Sequence, residues 1–128
     1  MHKLHNPPTA VAPFGKYAQA VEAAPGLRWL FLAGQVGVTP DGKTGARFED
    51  QARAAFANIK ALLADAGMGF EDVVKTNIYL TSIGDAADYR RVRDEFMGHL
   101  TVASTLVVVA GLARPEWRIE VEAVAAKA

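Results

Sequence analysis

From Trp117 to Ala125 the chain alternates without a break, with Arg118, Glu120 and Glu122 in one row and Ile119, Val121 and Ala123 in the other. Successive side chains of a strand point to opposite faces, so this segment is predicted as a strand with one charged and one aliphatic face. The aliphatic row requires a core. The charged row fits a solvated face of an antiparallel sheet or a wet pocket lined by acids, and alternation alone does not choose between them. Residues 73–80 repeat the pattern, with Val74, Thr76, Ile78 and Leu80 opposite Val73, Lys75, Asn77 and Tyr79.

Between residues 49 and 66 the period changes to three and four. Ala52, Ala55, Phe56, Ile59, Leu62, Leu63 and Ala66 then form the apolar stripe of an amphipathic helix. Glu49 and Asp50 open it, where the helix dipole favours acids, and Gly67 follows as a left-handed cap. A second helix is predicted from Asp85 as N-cap. Tyr89, Val92 and Phe96 supply its buried stripe, and Arg90, Arg91 and Arg93 crowd the rest of its surface. Ahead of both helices, residues 17–21 and 29–35 read as a hairpin across the turn signal Ala24-Pro25-Gly26, after a proline-bearing lead-in. Residues 103–110 make a further strand.

The resulting order, ββαβαββ, predicts one α+β domain over residues 1–128, with two helices on one face of a mixed sheet. The other face of so apolar a sheet needs cover. A second copy of the chain is the nearest candidate, because closed symmetric assembly is the commonest way to hide such a surface.

Composition mainly excludes. A 51% hydrophobic content with 22% charged residues belongs to a folded protein. Fourteen Lys and Arg balance fourteen Asp and Glu, leaving no net field to attract nucleic acid or an anionic membrane. The absence of cysteine excludes disulfides, thiolate metal sites and thiol nucleophiles together. The opening residues carry neither a long apolar segment nor a cleavage signature. The richest apolar run, residues 102–112, is too short to cross a bilayer. A cytoplasmic protein with no membrane and no nucleic-acid partner is expected.

Several local motifs invite chemistry and are weighed against plainer readings. Residues 37–44 match the phosphate-loop pattern G-x-x-x-x-G-K-[ST] letter for letter. Such a loop must run directly into a helix whose amides face the anion, yet Gly45 stands where that helix should start and Pro40 removes a cradling N–H. His2 and His5 lie in a terminus expected to fray, and with His99 they form no metal set, so no metal is expected. Ser104 and His99 have no reason to meet as nucleophile and base. The three arginines of the second helix read first as a solvated face.

A set of segments in order carries more: Gly15-Lys16-Tyr17-Ala18-Gln19-Ala20-Val21, Phe31-Leu32-Ala33-Gly34-Gln35-Val36, Pro40-Asp41-Gly42-Lys43-Thr44-Gly45, and Gln51-Ala52-Arg53 running to Leu63. Ala66-Gly67, Asp72-Val73-Val74-Lys75-Thr76, Ile78-Tyr79-Leu80-Thr81 and Ile119-Glu120-Val121-Glu122-Ala123-Val124-Ala125 complete it. Together they resemble the Rid family, also called YjgF, of enamine and imine deaminases, over nearly the whole chain. The resemblance implies a chorismate-mutase-like fold and a homotrimer with sheets facing inward, helices outside and small-metabolite pockets between subunits. No cofactor is implied.

In active members of that family a strand carries Pro-Ala-Arg-Ser or Pro-Ala-Arg-Thr, whose arginine grips the carboxylate of a 2-imino or 2-enamino acid. The matching segment here is Val102-Ala103-Ser104-Thr105, so Ser104 stands in the arginine position. A short neutral hydroxyl cannot form the bidentate charge-assisted pair of a guanidinium with a carboxylate. The resemblance further implies Tyr17 and Gly34 as pocket wall and backbone contact, and Glu120 as the acid that handles the attacking water. Leu106, on the same strand face as Ser104, makes the pocket more apolar. Arg90 stands where many members have asparagine and offers a positive charge from another direction. The expectation is a divergent Rid-type homotrimer that binds a small metabolite and either hydrolyses an imine or enamine without the usual arginine, or serves as a non-catalytic binding or interaction module. RNA cleavage, attached by resemblance to some relatives, finds no basic-aromatic groove in this neutral chain.

Overall fold

The computed structural model describes residues 2–128. Its strands are β1 (Lys3–His5), β2 (Ala20–Glu22), β3 (Arg28–Val36), β4 (Val73–Leu80), β5 (Ala103–Val108) and β6 (Ile119–Lys127), with helices α1 (Phe48–Asp65) and α2 (Ala86–Met97). Short 3₁₀ turns at Phe70–Asp72 and Ile83–Asp85 lead into β4 and α2. The main sheet has the order β3-β6-β4-β5, with β6 antiparallel to β3 and β4, and β5 parallel to β4. The expected α+β order holds, with one short strand added in front.

Both helices cover one face. Phe48, Ala52, Phe56, Ile59 and Leu63 of α1 and Tyr89, Val92 and Met97 of α2 pack on Ile78, Leu80, Ile119, Val121 and Ala123 of the sheet. Phe56 sits at the centre of an aromatic group, 5.6 Å from Phe96 and 6.1 Å from Tyr89 between ring centroids. Deleting a buried ring of this kind costs about 3–5 kcal/mol. The opposite face carries Glu120 and Glu122, half-buried, together with exposed Trp29, Phe31 and Val107. No helix among the described residues is long and apolar enough to cross a membrane.

Several local expectations are corrected. First, the opening hairpin does not form, because β2 pairs antiparallel with β1, Lys3 facing Glu22 and His5 facing Ala20. His5 is thereby ordered, with its Nε2 2.7 Å from Glu22 Oε1, and His2 Nε2 lies 3.1 Å from the Asp72 carbonyl. Ala18 is drawn instead to the free edge of β5, where its N–H donates to Val102 O at 2.9 Å. An edge strand leaves unpaired backbone groups that a nearby segment can satisfy.

Second, Arg118 leaves the charged row of β6. Its guanidinium donates to both Asp85 carboxylate oxygens at 2.8 and 3.0 Å and lies over the Phe48 ring. Third, Asp85 precedes α2 as expected but makes no side-chain cap bond, since its carboxylate is held by Arg118. Fourth, Arg93 is not part of a solvated face. At 7% exposure it donates to Gly98 O at 3.3 Å, Leu100 O at 2.5 Å and Asp94 Oδ1 at 3.0 Å, closing the end of α2 onto the next loop. Strand β5 also ends at Val108, two residues before the expected limit.

The phosphate-loop look-alike is a closed turn. Val38 N–H donates to Val36 O, Thr39 N–H to Lys43 O, Gly42 N–H to Thr39 O and Gly45 N–H to Gly37 O, so these amides fold the loop on itself and are not turned to an anion. The loop is bound to α1 through Gln51, 2% exposed, whose Nε2 donates to Gly45 O at 3.1 Å and Glu116 O at 2.9 Å while its Oε1 accepts from Arg118 N–H at 2.9 Å. A buried side-chain amide with three backbone partners ties two loops and the start of β6 to one helix.

Candidate functional site

The site begins with an uncovered edge. Strand β5 pairs with β4 on one side only, and its other side faces α2 and residues 14–19. An open cavity of about 530 Å³ lies between them, lined by Phe14, Lys16, Tyr17, Arg90, Ser104 and Leu106 among others. Four of the six residues expected at the site therefore meet in one cavity of a single chain: Tyr17, Arg90, Ser104 and Leu106.

Each reaches it for a local reason. Ser104 and Leu106 face the helix side of the sheet, because their β4 partners Thr76 and Ile78 are buried there. Tyr17 is held in a tight loop, where its hydroxyl accepts from Phe14 N–H at 3.1 Å and its own N–H donates to Gly15 O at 3.0 Å. Arg90 projects from the exposed side of α2 and has no hydrogen-bond or ion-pair partner among the described residues.

The floor is neutral. Thr76 Oγ1 donates to Ser104 Oγ at 2.9 Å, so this serine is engaged with the sheet. Beside it, burial pushes the Tyr89 phenol up to about 12, against the opposing influence of the Arg93 and Arg90 charges and the Ser104 hydroxyl. Tyr89 thus stays protonated at neutral pH. Toward the mouth the charges differ in freedom: Lys16 Nζ lies 3.7 Å from Asp94 Oδ1, Arg93 is committed to backbone carbonyls, and Arg90 is unpaired.

Glu120 and Gly34 lie elsewhere. Glu120 faces Tyr79 across the β4–β6 ladder, on the helix-free side of the sheet. Its carboxylate rests against Gly34, in a β-bulge where Ala33 and Gly34 together oppose Glu122. On the same face Glu122 accepts a hydrogen bond from the Tyr79 hydroxyl, and Asn77 Nδ2 lies 3.5 Å from it. That bond to Glu122, before desolvation, raises the Tyr79 phenol above its ordinary value. In one chain the sheet separates the Glu120 group from the cavity.

Lys16, Tyr89 and Asp94 also line the cavity and were not singled out from sequence. The signal was present in α2, where Tyr89/Arg93 and Arg90/Asp94 are pairs four apart and so share neighbouring helix faces. No group of three or more metal-ligating side chains forms among the described residues.

Residues 7–127 match the family model described as endoribonuclease L-PSP. A RutC family protein of Pyrococcus horikoshii is 38% identical over 122 residues, covering 92% of each chain. The 2-iminobutanoate/2-iminopropanoate deaminase of Dermatophagoides farinae is 33% identical over 95% of this chain and 94% of its own. Among solved structures, the Rid family protein YyfB of Yersinia pestis superposes with a TM-score of 0.83 at 30% identity, covering 97% of both chains. The Escherichia coli YjgF gene product does so with 0.75 at 30% identity, over 96% of this chain and 94% of its own. Sequence and fold agree along nearly the full length, and the chain belongs to the Rid (YjgF) family.

Proposed function

We propose that the protein is a divergent Rid-type deaminase, a homotrimer that hydrolyses an imine or enamine in pockets shared between subunits. The observation that carries this reading is the cavity that gathers Tyr17, Arg90, Ser104 and Leu106 in a chain of this family. Relatives named as 2-iminobutanoate/2-iminopropanoate deaminase and putative reactive intermediate deaminase support the reaction class. The separation of Glu120 from the cavity supports a pocket that takes the cavity from one copy and the carboxylate from the next. The exposed Trp29, Phe31 and Val107 supply apolar surface for such an assembly. A cytoplasmic setting follows the same reading.

In the proposed step an enamine first shifts a proton from nitrogen to carbon to become the imine, and water then adds across the C=N bond. Its oxygen bonds to carbon, Glu120 accepts one of its protons, and the carbinolamine forms as that proton passes to nitrogen. On collapse the hydroxyl proton passes to nitrogen as the C–N bond breaks, expelling ammonia and leaving a carbonyl, so one imine and one water give one ketone or oxo acid and one ammonia. Tyr17 and Gly34 orient the ligand, while Ser104 and Leu106 set its selectivity. Glu120 serves as the base that takes the water proton.

The test is coupled hydrolysis of 2-aminoacrylate by wild type, Ser104→Arg and Glu120→Ala. Wild-type turnover is expected to be low, to rise at least about tenfold in Ser104→Arg as a charge-assisted carboxylate bond is restored, and to fall in Glu120→Ala. Turnover unchanged by Glu120→Ala contradicts the water-handling role. A binding module without catalysis is the second reading, favoured by the engagement of Ser104 with Thr76, and it predicts ligand binding with no turnover in any of the three proteins.

A further inference from the structure

Resting on the proposal that the cavity holds the ligand, we infer that the site selects 2-imino acids with a bulky apolar side chain, and that Arg90 on α2 grips their carboxylate at the cavity mouth. The charge distribution gives the orientation. The floor around Ser104 offers no free cationic donor, since its hydroxyl is bonded to Thr76, the adjacent Tyr89 is neutral and the Arg93 guanidinium is spent on Gly98 O and Leu100 O. Leu106 and the rings of Phe14 and Tyr17 add apolar wall. A carboxylate placed at that floor would be desolvated with no free guanidinium or ammonium to bond it. An apolar group placed there brings no charge to desolvate.

The nearby cations divide cleanly. Arg93 is spent on Gly98 O and Leu100 O, Lys16 faces Asp94, and Arg91 pairs with Asp88. Arg90 lines the cavity with its guanidinium free, and that planar fork matches a carboxylate with two parallel hydrogen bonds. Size points the same way. The open cavity of about 530 Å³ in the single chain leaves more room than a three-carbon acid fills. The substrate thus enters reversed relative to the arrangement implied by an arginine on β5, with its side chain toward Ser104 and Leu106 and its carboxylate toward α2.

The experiment uses the stable oxo-acid products as probes. Phenylpyruvate, pyruvate and the uncharged benzyl methyl ketone are titrated calorimetrically into wild type, Arg90→Gln, Arg90→Lys, Arg91→Gln and Ser104→Trp. Arg90 and Arg91 are both exposed, so their variants keep the fold, which thermal melting checks. Phenylpyruvate is expected to bind at least about tenfold tighter than pyruvate, to weaken about 10- to 100-fold in Arg90→Gln with partial recovery in Arg90→Lys, and to be unaffected by Arg91→Gln. The ketone should not distinguish wild type from Arg90→Gln, and Ser104→Trp should block phenylpyruvate by filling the floor. Equal phenylpyruvate affinity in wild type and Arg90→Gln, tighter binding of pyruvate, or no binding of phenylpyruvate overturns the inference. If wild type hydrolyses 2-imino acids while Arg90→Gln does so equally well, the grip by Arg90 falls and the deaminase reading stands. If no imine is hydrolysed but phenylpyruvate binding depends on Arg90, the deaminase reading falls and the grip stands.

Discussion

The Glu120 carboxylate occupies the space that a side chain on Gly34 would take: a Cβ there would lie 1.9 Å from Glu120 Oε2 and 2.7 Å from its Cδ. Gly34 is not held in a left-handed conformation, so its value is room for Glu120 and not backbone freedom. The obstructing atoms end a flexible side chain and can swing away. Gly34→Ala is therefore expected to change stability by less than about 1 kcal/mol while lowering any Glu120-dependent turnover at least about tenfold by displacing the acid. Thermal melting and steady-state rates on the same preparation check both halves.

The Tyr89 phenol gives a pH signature. Its proton is held to about 12 in the folded state against about 10 in an unfolded chain. The contribution is fully present below pH 10 and is lost as pH rises toward 12, because the unfolded chain releases that proton first. Two units correspond to about 2–3 kcal/mol. Urea midpoints for wild type and Tyr89→Phe between pH 8 and 11.5 should show a steeper loss in wild type, and parallel curves would contradict the buried neutral phenol.

Gln51 has a structural role that the chemistry does not use. Gln51→Leu keeps the bulk but leaves Gly45 O, Glu116 O and Arg118 N–H without their side-chain partner. Unfolding by urea should show a loss of about 2–4 kcal/mol, since each buried group left unpaired costs about 1–3 kcal/mol and water recovers part of it.

Phe31 is 75% exposed and stacked on Trp29 at 6.5 Å on the helix-free face. In the proposed trimer a carboxylate in that position would be buried without a partner. Phe31→Asp should shift the mass measured by light scattering from trimer toward monomer at micromolar concentration, while leaving the far-ultraviolet spectrum of the folded chain unchanged.

Much of the fold was legible because burial imposes a period. β4 spans the residues that its alternation marks, and α1 runs one residue ahead of its expected limits at each end. What was not legible depends on partners distant in sequence. Alternation does not say which edge a three-residue strand will pair with, so β2 went to β1 and Ala18 to β5. Arg93 and Arg118 look like surface charges until Gly98, Leu100 and Asp85 come within reach. The site was half legible for the same reason. Ser104 and Leu106 share a face by period two, and Arg90 joins them only because α2 packs beside β5. That Glu120 falls on the far side of the sheet follows from the pairing of β6 with β4.

The composite pocket is tested most directly by subunit complementation. Glu120→Gln, which lacks the acid, and Ser104→Trp, which lacks the cavity, are each purified, then mixed, dissociated and reassembled, and the hydrolysis of an imine accepted by wild type is measured. If each pocket joins the cavity of one copy to Glu120 of the next, both variants alone are inactive and the mixture recovers about a quarter of wild-type activity, the share set by random assembly of two subunit types. No recovery in assemblies whose mixed composition is confirmed by mass spectrometry would contradict it.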